Sequence, residues 1–296
     1  KADQLVAVHE RQLVEQFSAP NANAMGFIAL HQLFHLLEQM TDEAKGHAWF
    51  QLYVAGSVEQ GFDLAERAAR AGYKTLVLTV DVPRVARRPR DVRNGFQMPL
   101  RIGARQAIDF ALHPRWSIAT LLGGVPAPAN FETGGGFNRN ASRAGANWDF
   151  LARLRERWKG SLIVKGVMSP KDASRIKAAG IDAIYVSNHG GRQLDSSPSA
   201  ISALPLVRAA IGADYPLIFD SGVRSGEDIV KAHAAGADLV MLGRPLLYAL
   251  AAGGGLGLKT LLDGISADIA IALAQIGLGC MDEVDARVLV TDGEPG

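Results

Sequence analysis

Ala179-Gly180-Ile181-Asp182-Ala183-Ile184-Tyr185-Val186-Ser187-Asn188-His189-Gly190-Gly191-Arg192 holds, in one run, a glycine-capped helix end, a tight turn, a buried strand and a polar strand end. The same pattern occurs on either side of it. Ala71-Gly72-Tyr73 precedes TLVLT, and Ala235-Gly236-Ala237 precedes LVMLG. Glycine ends a helix cheaply because it accepts a left-handed backbone, and an apolar run straight after it reads as a strand covered on both faces. Repeated copies of one helix-turn-strand unit favour a closed barrel, although a doubly wound sheet can use the same unit.

Strands are expected at Phe27–Leu30, Trp49–Val54, Thr75–Asp81, Ser161–Val167, Ala183–Asn188, Leu217–Gly222 and Leu239–Gly243. Amphipathic helices are expected at Val58–Ala71, Pro170–Ala179, Ile201–Ile211 and Gly226–Ala235. Strands alternating with helices make this an α/β chain of parallel βαβ units. The expected fold is a single (β/α)8 TIM barrel over residues 1–296. Seven strands are visible. Residues 1–25 form an atypical N-terminal segment of helix and loop, so the first barrel strand is missing or replaced. From Met98 to Asn147 the pattern dissolves into Gly, Pro, Asn and Ala, as a long irregular lid-like loop would. Its apolar piece, Trp116–Leu122, is expected to pack on the barrel, with contact to a membrane surface as the alternative.

Composition narrows the function. Hydrophobic residues make up 48% of the chain, enough for a large core, and 31 Lys and Arg nearly cancel 30 Asp and Glu. That balance gives no reason to expect a nucleic-acid surface. The only cysteine, Cys280, sits in an apolar LGC context that reads as core. With no partner for a disulfide, the chain suits a reducing compartment. No apolar run is long enough to span a membrane, so the expected location is cytoplasmic, or peripheral to the inner face of a membrane.

The polar residues gather at strand ends, where barrel enzymes place their chemistry. His189 and Arg192 lie three apart in a turn loosened by Gly190 and Gly191. An imidazole can take a proton near neutral pH, and a guanidinium grips a carboxylate with two parallel bonds. Asp81, after Thr79-Val80, is placed to orient a histidine, and Arg88 could add a second carboxylate contact. Lys165 ends its strand and points into the same mouth, either as a Schiff-base lysine or as a positive charge beside a flavin ring. Gln51 and Tyr53 share one strand face by the two-residue period, and buried polar groups need partners. Asp220-Ser221-Gly222-Val223-Arg224 and Gly243-Arg244-Pro245 follow consecutive strands, where barrels bind phosphate through backbone N–H groups and arginine. No metal-ligating cluster is apparent.

WFQLYV, LTVDVP followed by RxRD, IVKGV, VSNHGGRQLD, FDSGVRSGxD and LGRP stand in the order and approximate spacing of one known family. The chain resembles the FMN-dependent 2-hydroxy-acid oxidases and dehydrogenases, which include glycolate oxidase, flavin-type L-lactate dehydrogenases and mandelate dehydrogenase. The resemblance runs from about Met40 to Val290. It implies FMN as cofactor and oxidation of a small L-2-hydroxy acid of the lactate, glycolate or mandelate type to the 2-keto acid. It implies that His189 is the base, oriented by Asp81, that Arg88 and Arg192 bind the substrate carboxylate, and that Tyr53 hydrogen-bonds the substrate. Lys165 would stabilise negative charge on the reduced ring. Gln51, Thr79 and Ser187 would contact the flavin ring and ribityl chain. Asp220, Gly222, Arg224, Gly243 and Arg244 would form the ribityl and phosphate site. The electron acceptor would be oxygen, a quinone or a redox protein, and the family commonly forms homo-oligomers. The departure lies near the N-terminus, where Leu30, His31 and Gln32 replace a serine-rich strand end. An impaired FMN- or carboxylate-binding remnant of the family is therefore the alternative reading. A phosphate-binding barrel of another kind, such as an isomerase, would leave the His-Gly-Gly-Arg turn and Arg88 unexplained.

Overall fold

The computed structural model describes residues 37–44, 47–86, 93, 103–123 and 142–290. The expected strand Phe27–Leu30 and the atypical segment 1–25 lie outside these residues.

Helix α1 (Leu37–Glu43) leads into β1 (Trp49–Leu52), α2 (Val58–Arg70) and β2 (Thr75–Thr79). After β2 come α3 (Ala104–Leu112), α4 (Pro114–Gly123) and α5 (Trp148–Arg157), then β3 (Ser161–Lys165) and α6 (Pro170–Ala178). The chain continues through β4 (Ala183–Val186), α7 (Ala200–Ile211), β5 (Leu217–Phe219), α8 (Gly226–Ala234), β6 (Leu239–Val240) and α9 (Arg244–Gln275). Every strand pairs in parallel with the one before it, in the order β1-β2-β3-β4-β5-β6. A doubly wound sheet would reverse direction at a switch point. This one never reverses, as the wall of a barrel requires.

The strands are apolar on both faces because each face has its own core. Leu76, Leu78, Leu162, Val164, Ile184, Val186, Leu217 and Phe219 point outward and pack in the large cluster with the helices. Val77, Ile163, Ala183, Tyr185 and Ile218 point inward and form a smaller cluster with Trp49, Leu239 and Met241. Helices α2, α5, α6, α7 and α8 start on side-chain caps. Ser57, Asn147, Ser169, Ser199 and Ser225 each accept a backbone N–H of the first turn. Helix α2 buries Phe62, which stacks on Phe150 of α5 at 4.6 Å between ring centres. Such a pair adds about 0.5–1.5 kcal/mol beyond its buried area.

The helix-end glycines behave as their spacing predicts: Gly72, Gly180 and Gly236 all have positive φ. In two copies of the unit the next-but-one residue is an aspartate with a second task. Asp182 Oδ2 accepts the Leu162 N–H at the start of β3 and an Arg155 N–H at 2.6 Å. Asp238 Oδ2 repeats this one unit pair later, with the Leu217 N–H and Arg208 at 2.7 Å. These clasps tie neighbouring strands together at the N-terminal rim of the wall.

Three expectations are corrected. The stretch 98–147 is not irregular throughout, because its described residues include α3 and α4. Among the described residues, the apolar side chains of this stretch are not packed on the barrel either. Leu121 and Leu122 are 82% and 84% exposed, and Ile108, Leu112 and Ile118 are exposed as well. The signal for these helices was present in the apolar spacing of Ile108 and Leu112, but the surrounding Gly and Pro content concealed it. Cys280 is also not core. It is half-buried, at the start of a 3-10 turn over Met281–Glu283.

Candidate active site

All the polar strand ends open on the C-terminal rim. On β1, Gln51 is buried and donates through Nε2 to Thr79 Oγ1 at 2.7 Å and to Tyr53 Oη at 3.1 Å. The shared strand face read from the sequence is thus a hydrogen-bonded group spanning β1 and β2. Burial, reinforced by the nearby Asp81 carboxylate, pushes the Tyr53 phenol up to about 12, so it remains a proton donor at neutral pH. Arg143, from the segment before α5, lies over the Tyr53 ring at 5.4 Å.

Lys165 ends β3, buried, with its ammonium 2.5 Å from Asp220 Oδ2 and 2.8 Å from Ser187 Oγ. Tyr185 donates to the same Asp220 oxygen at 2.9 Å, and its ring lies 4.0 Å below the ammonium. Burial works to raise the Asp220 carboxyl, but the Lys165 charge and bonds from Lys165, Ser187 and Ser221 outweigh it and hold it below the usual carboxylate range. Burial, reinforced by the same carboxylate, drives the Tyr185 phenol far above its ordinary value. Asp220 is therefore a fixed anion and Tyr185 a fixed neutral phenol. Beside Lys165, Gly166 has φ +102°, and a Cβ there would meet the Asp81 Cβ at 2.5 Å. Only glycine lets the end of β3 pass this close to Asp81.

His189 stands just past β4, in the 3-10 turn His189–Gly191. Its Nδ1 is 3.1 Å from both Asp81 oxygens. An ionised carboxylate only accepts, so Nδ1 carries the hydrogen and Nε2 is left as a base. The loop is anchored around this ring. The His189 N–H donates to Ser187 Oγ, while the Asn188 and Gly190 N–H groups donate to Ser221 Oγ. Ser187 is fully buried with its hydroxyl engaged in this network. Gln193 Oε1 accepts the Ala86 N–H at 3.2 Å, tying the turn to the segment that leads toward Arg88. Arg192 is exposed on the same turn. Arg88 lies outside the described residues.

The end of β5 and the start of α9 form the other flank. Gly222 has φ +95°, and a Cβ on Gly222 or on Gly243 would meet nothing within 4 Å. Backbone is thus open to an approaching group at both turns. Gly243 starts α9 without a side-chain cap, so the first N–H groups of that helix remain available to an anion. Arg244 reaches back to the Gly190 carbonyl at 3.0 Å. Arg224 is exposed, with its backbone N–H on Asp228. Open backbone, an uncapped helix start and two arginines fit a phosphate. A buried ammonium and a Gln-Thr pair on the barrel's inner face fit a polar planar ring. The residues could therefore hold FMN: Lys165, Gln51 and Thr79 would face its ring, and Gly222, Arg224, Gly243 and Arg244 its phosphate.

Sequence reasoning missed three participants. Tyr185 shares the inward face with Ala183 and Ser187 by the two-residue period, so it could have been found. Ser221 and Gln193 lie inside the FDSGVRSGxD and VSNHGGRQLD stretches, but their partners are on distant loops, so position alone did not single them out.

A family model described as FMN-dependent dehydrogenase matches residues 7–291. The (S)-mandelate dehydrogenase of Pseudomonas putida is 41% identical over 87% of this chain and 67% of its own length. An L-lactate dehydrogenase of Pectobacterium atrosepticum is 38% identical over 86% of this chain and 68% of its own length. Among solved structures, a monotopic membrane protein, (S)-mandelate dehydrogenase, superposes with a TM-score of 0.79 at 40% identity, covering 86% of this chain and 70% of that one. The chain spans about two thirds of the length of these relatives.

Proposed function

Given that the chain belongs to the FMN-dependent dehydrogenase family, we propose that it oxidises a small L-2-hydroxy acid of the lactate, glycolate or mandelate type to the 2-keto acid, with His189 as the base. The family's cofactor is FMN, which when bound accepts the two electrons that leave the substrate. The rest of the chemistry falls to side chains. Arg192 and Arg88 grip the substrate carboxylate and fix C2 relative to the base. Tyr53, held neutral, donates a hydrogen bond to the substrate. His189 Nε2 takes a proton from the substrate, and the Asp81 carboxylate on Nδ1 stabilises the imidazolium that results. Lys165 keeps a positive charge buried where negative charge must be received.

The observation that carries this reading is the placement of Asp81 on His189 Nδ1, 3.1 Å from each carboxylate oxygen, at the same rim as the Lys165–Asp220 pair. The test is an absorbance spectrum of the FMN-loaded protein before and after anaerobic addition of L-mandelate, L-lactate and glycolate. Bleaching by at least one acid supports the proposal. A flavin that binds and stays oxidised with all three overturns it in favour of the impaired remnant.

The exposed apolar faces of α3 and α4 support peripheral contact with a membrane. No helix among the described residues is long and apolar enough to cross one. A membrane position would favour a quinone or a membrane-bound redox protein as electron acceptor over oxygen. Sedimentation with phospholipid vesicles tests the contact: Leu121→Ser with Leu122→Ser should release the protein into the supernatant. Equal pelleting of variant and parent would refute the assignment.

A further inference from the structure

Two described residues other than glycine hold a positive φ, His189 at +57° and Ser221 at +87°. That backbone region is unfavourable for any residue with a Cβ, and it persists where the surroundings over-determine it. Gly222, the next residue, adopts it without strain. Position 221 instead keeps a serine, and its hydroxyl is fully used. A hydroxyl has one proton to give and two lone pairs to offer. Ser221 Oγ donates to Asp220 Oδ1 at 2.8 Å and accepts the Asn188 N–H at 3.2 Å and the Gly190 N–H at 3.0 Å. Between those two amides, the His189 N–H is taken by Ser187 Oγ at 3.1 Å. Two serine hydroxyls therefore hold three successive amides around the base. Both hydroxyls are anchored in turn to one ion pair. Ser187 accepts from Lys165, and Ser221 donates to Asp220, whose other oxygen holds Lys165.

We propose that Ser221 is a positioning residue for the reaction: its hydroxyl passes the fixed orientation of the Lys165–Asp220 pair to the 188–190 turn and so sets where His189 Nε2 stands. This rests on the reading of His189 as base. Asp220, beyond any contact with a cofactor, thereby aligns the proton acceptor on the neighbouring strand end. The strained backbone at 221 aims the hydroxyl between the two loops.

The test compares Ser221→Gly with Ser221→Ala in the full chain. Both lose the hydroxyl, but only glycine relieves the strain, so the alanine variant should melt at the lower temperature. In both, the amide hydrogens of Asn188 and Gly190 should exchange about tenfold faster in the absence of substrate, while those of β3 keep their rates. Anaerobic flavin reduction by the 2-hydroxy acid should slow by about 10- to 100-fold, equally in both variants, as expected for a displaced base. A rate that follows the melting temperature instead would make Ser221 only a stabiliser and overturn the proposal. Unchanged amide exchange would do the same.

A double-mutant cycle separates this proposal from the reading beneath it. In a His189→Gln background, Ser221→Gly should cause no further slowing. A further tenfold loss there would show that Ser221 acts by another route. Wild-type reduction by His189→Gln alone would instead remove the base assignment, and the proposal would fall with it. The exchange result at residues 188 and 190 would still report on the clamp itself.

Discussion

The two rims of the strand wall use the same residue types for opposite ends. At the N-terminal rim, Asp182 pairs with Arg155 and Asp238 with Arg208, with aspartate side chains 49% and 55% exposed. At the C-terminal rim, Asp220 pairs with Lys165 and Asp81 with His189, and the aspartates are 21% and 12% exposed. Water screens the first two pairs, so each is worth little beyond its hydrogen bonds to strand backbone. The second two sit where charges interact strongly and cannot be left unpaired without cost. Sequence alone shows four aspartates near strand ends. Solvent access decides which pair holds strands together and which can do chemistry.

The largest expected effect of breaking this contrast is on turnover. His189→Gln should slow anaerobic flavin reduction by about 10²–10⁴-fold, the usual share of a general base, while FMN content stays near wild type. Parent-like reduction rates would place the base elsewhere. Next comes Lys165→Met, which strands the Asp220 carboxylate without its cation. Urea unfolding should show a loss of about 3–5 kcal/mol. If stability holds, the C-terminal rim is as well screened as the other, and the contrast is wrong.

The pH dependence sharpens the comparison further. Asp220 has a depressed carboxyl in the folded state, so its contribution is complete above its unfolded value of about 3.9. It is lost as pH falls through the lower folded value. Tyr53 is raised to about 12, so its contribution is complete below its unfolded value of about 10 and disappears as pH climbs toward 12. Stability measured by denaturant titration should therefore bend downward at both extremes. Replacing Tyr53 and Tyr185 by phenylalanine should shrink the alkaline bend without abolishing it, because Tyr73 and Tyr215 are raised as well. The smallest effect belongs to the N-terminal rim. Asp238→Asn keeps an acceptor for the Leu217 N–H and should cost about 1 kcal/mol or less, with unchanged flavin reduction. A loss as large as that of Lys165→Met would erase the distinction between the rims.

The wall itself was legible because burial on both faces writes each parallel strand as an apolar run. TLVLT, SLIVK and AIYV are found where they were expected, each two residues shorter at its C-terminal end than the expected strand. The helix-end glycines were legible for a local reason too, since a positive φ after a helix leaves few choices of residue. His189, Asp81 and Lys165 are brought to one rim because strand-end position is a local property. Which atoms meet is not. Ser221 and Gln193 stand inside quoted motifs, but they join loops far apart in sequence, so the motif marks the residue and not its partner. The helices α3 and α4 were missed because the Gly- and Pro-rich residues around them concealed the apolar spacing of Ile108 and Leu112. An apolar period normally implies a covered face, and here the described residues leave that face open.

One consequence follows from the strict march of strands around the wall. Asp81 arrives with the second described strand and His189 with the fourth, while Asp220 comes with the fifth. A break in the chain near residue 160 would put the imidazole on one fragment and the carboxylate that orients it on the other. Neither piece would own a working proton relay. Restored flavin bleaching on mixing the two would be a direct assay of how faithfully the halves find each other.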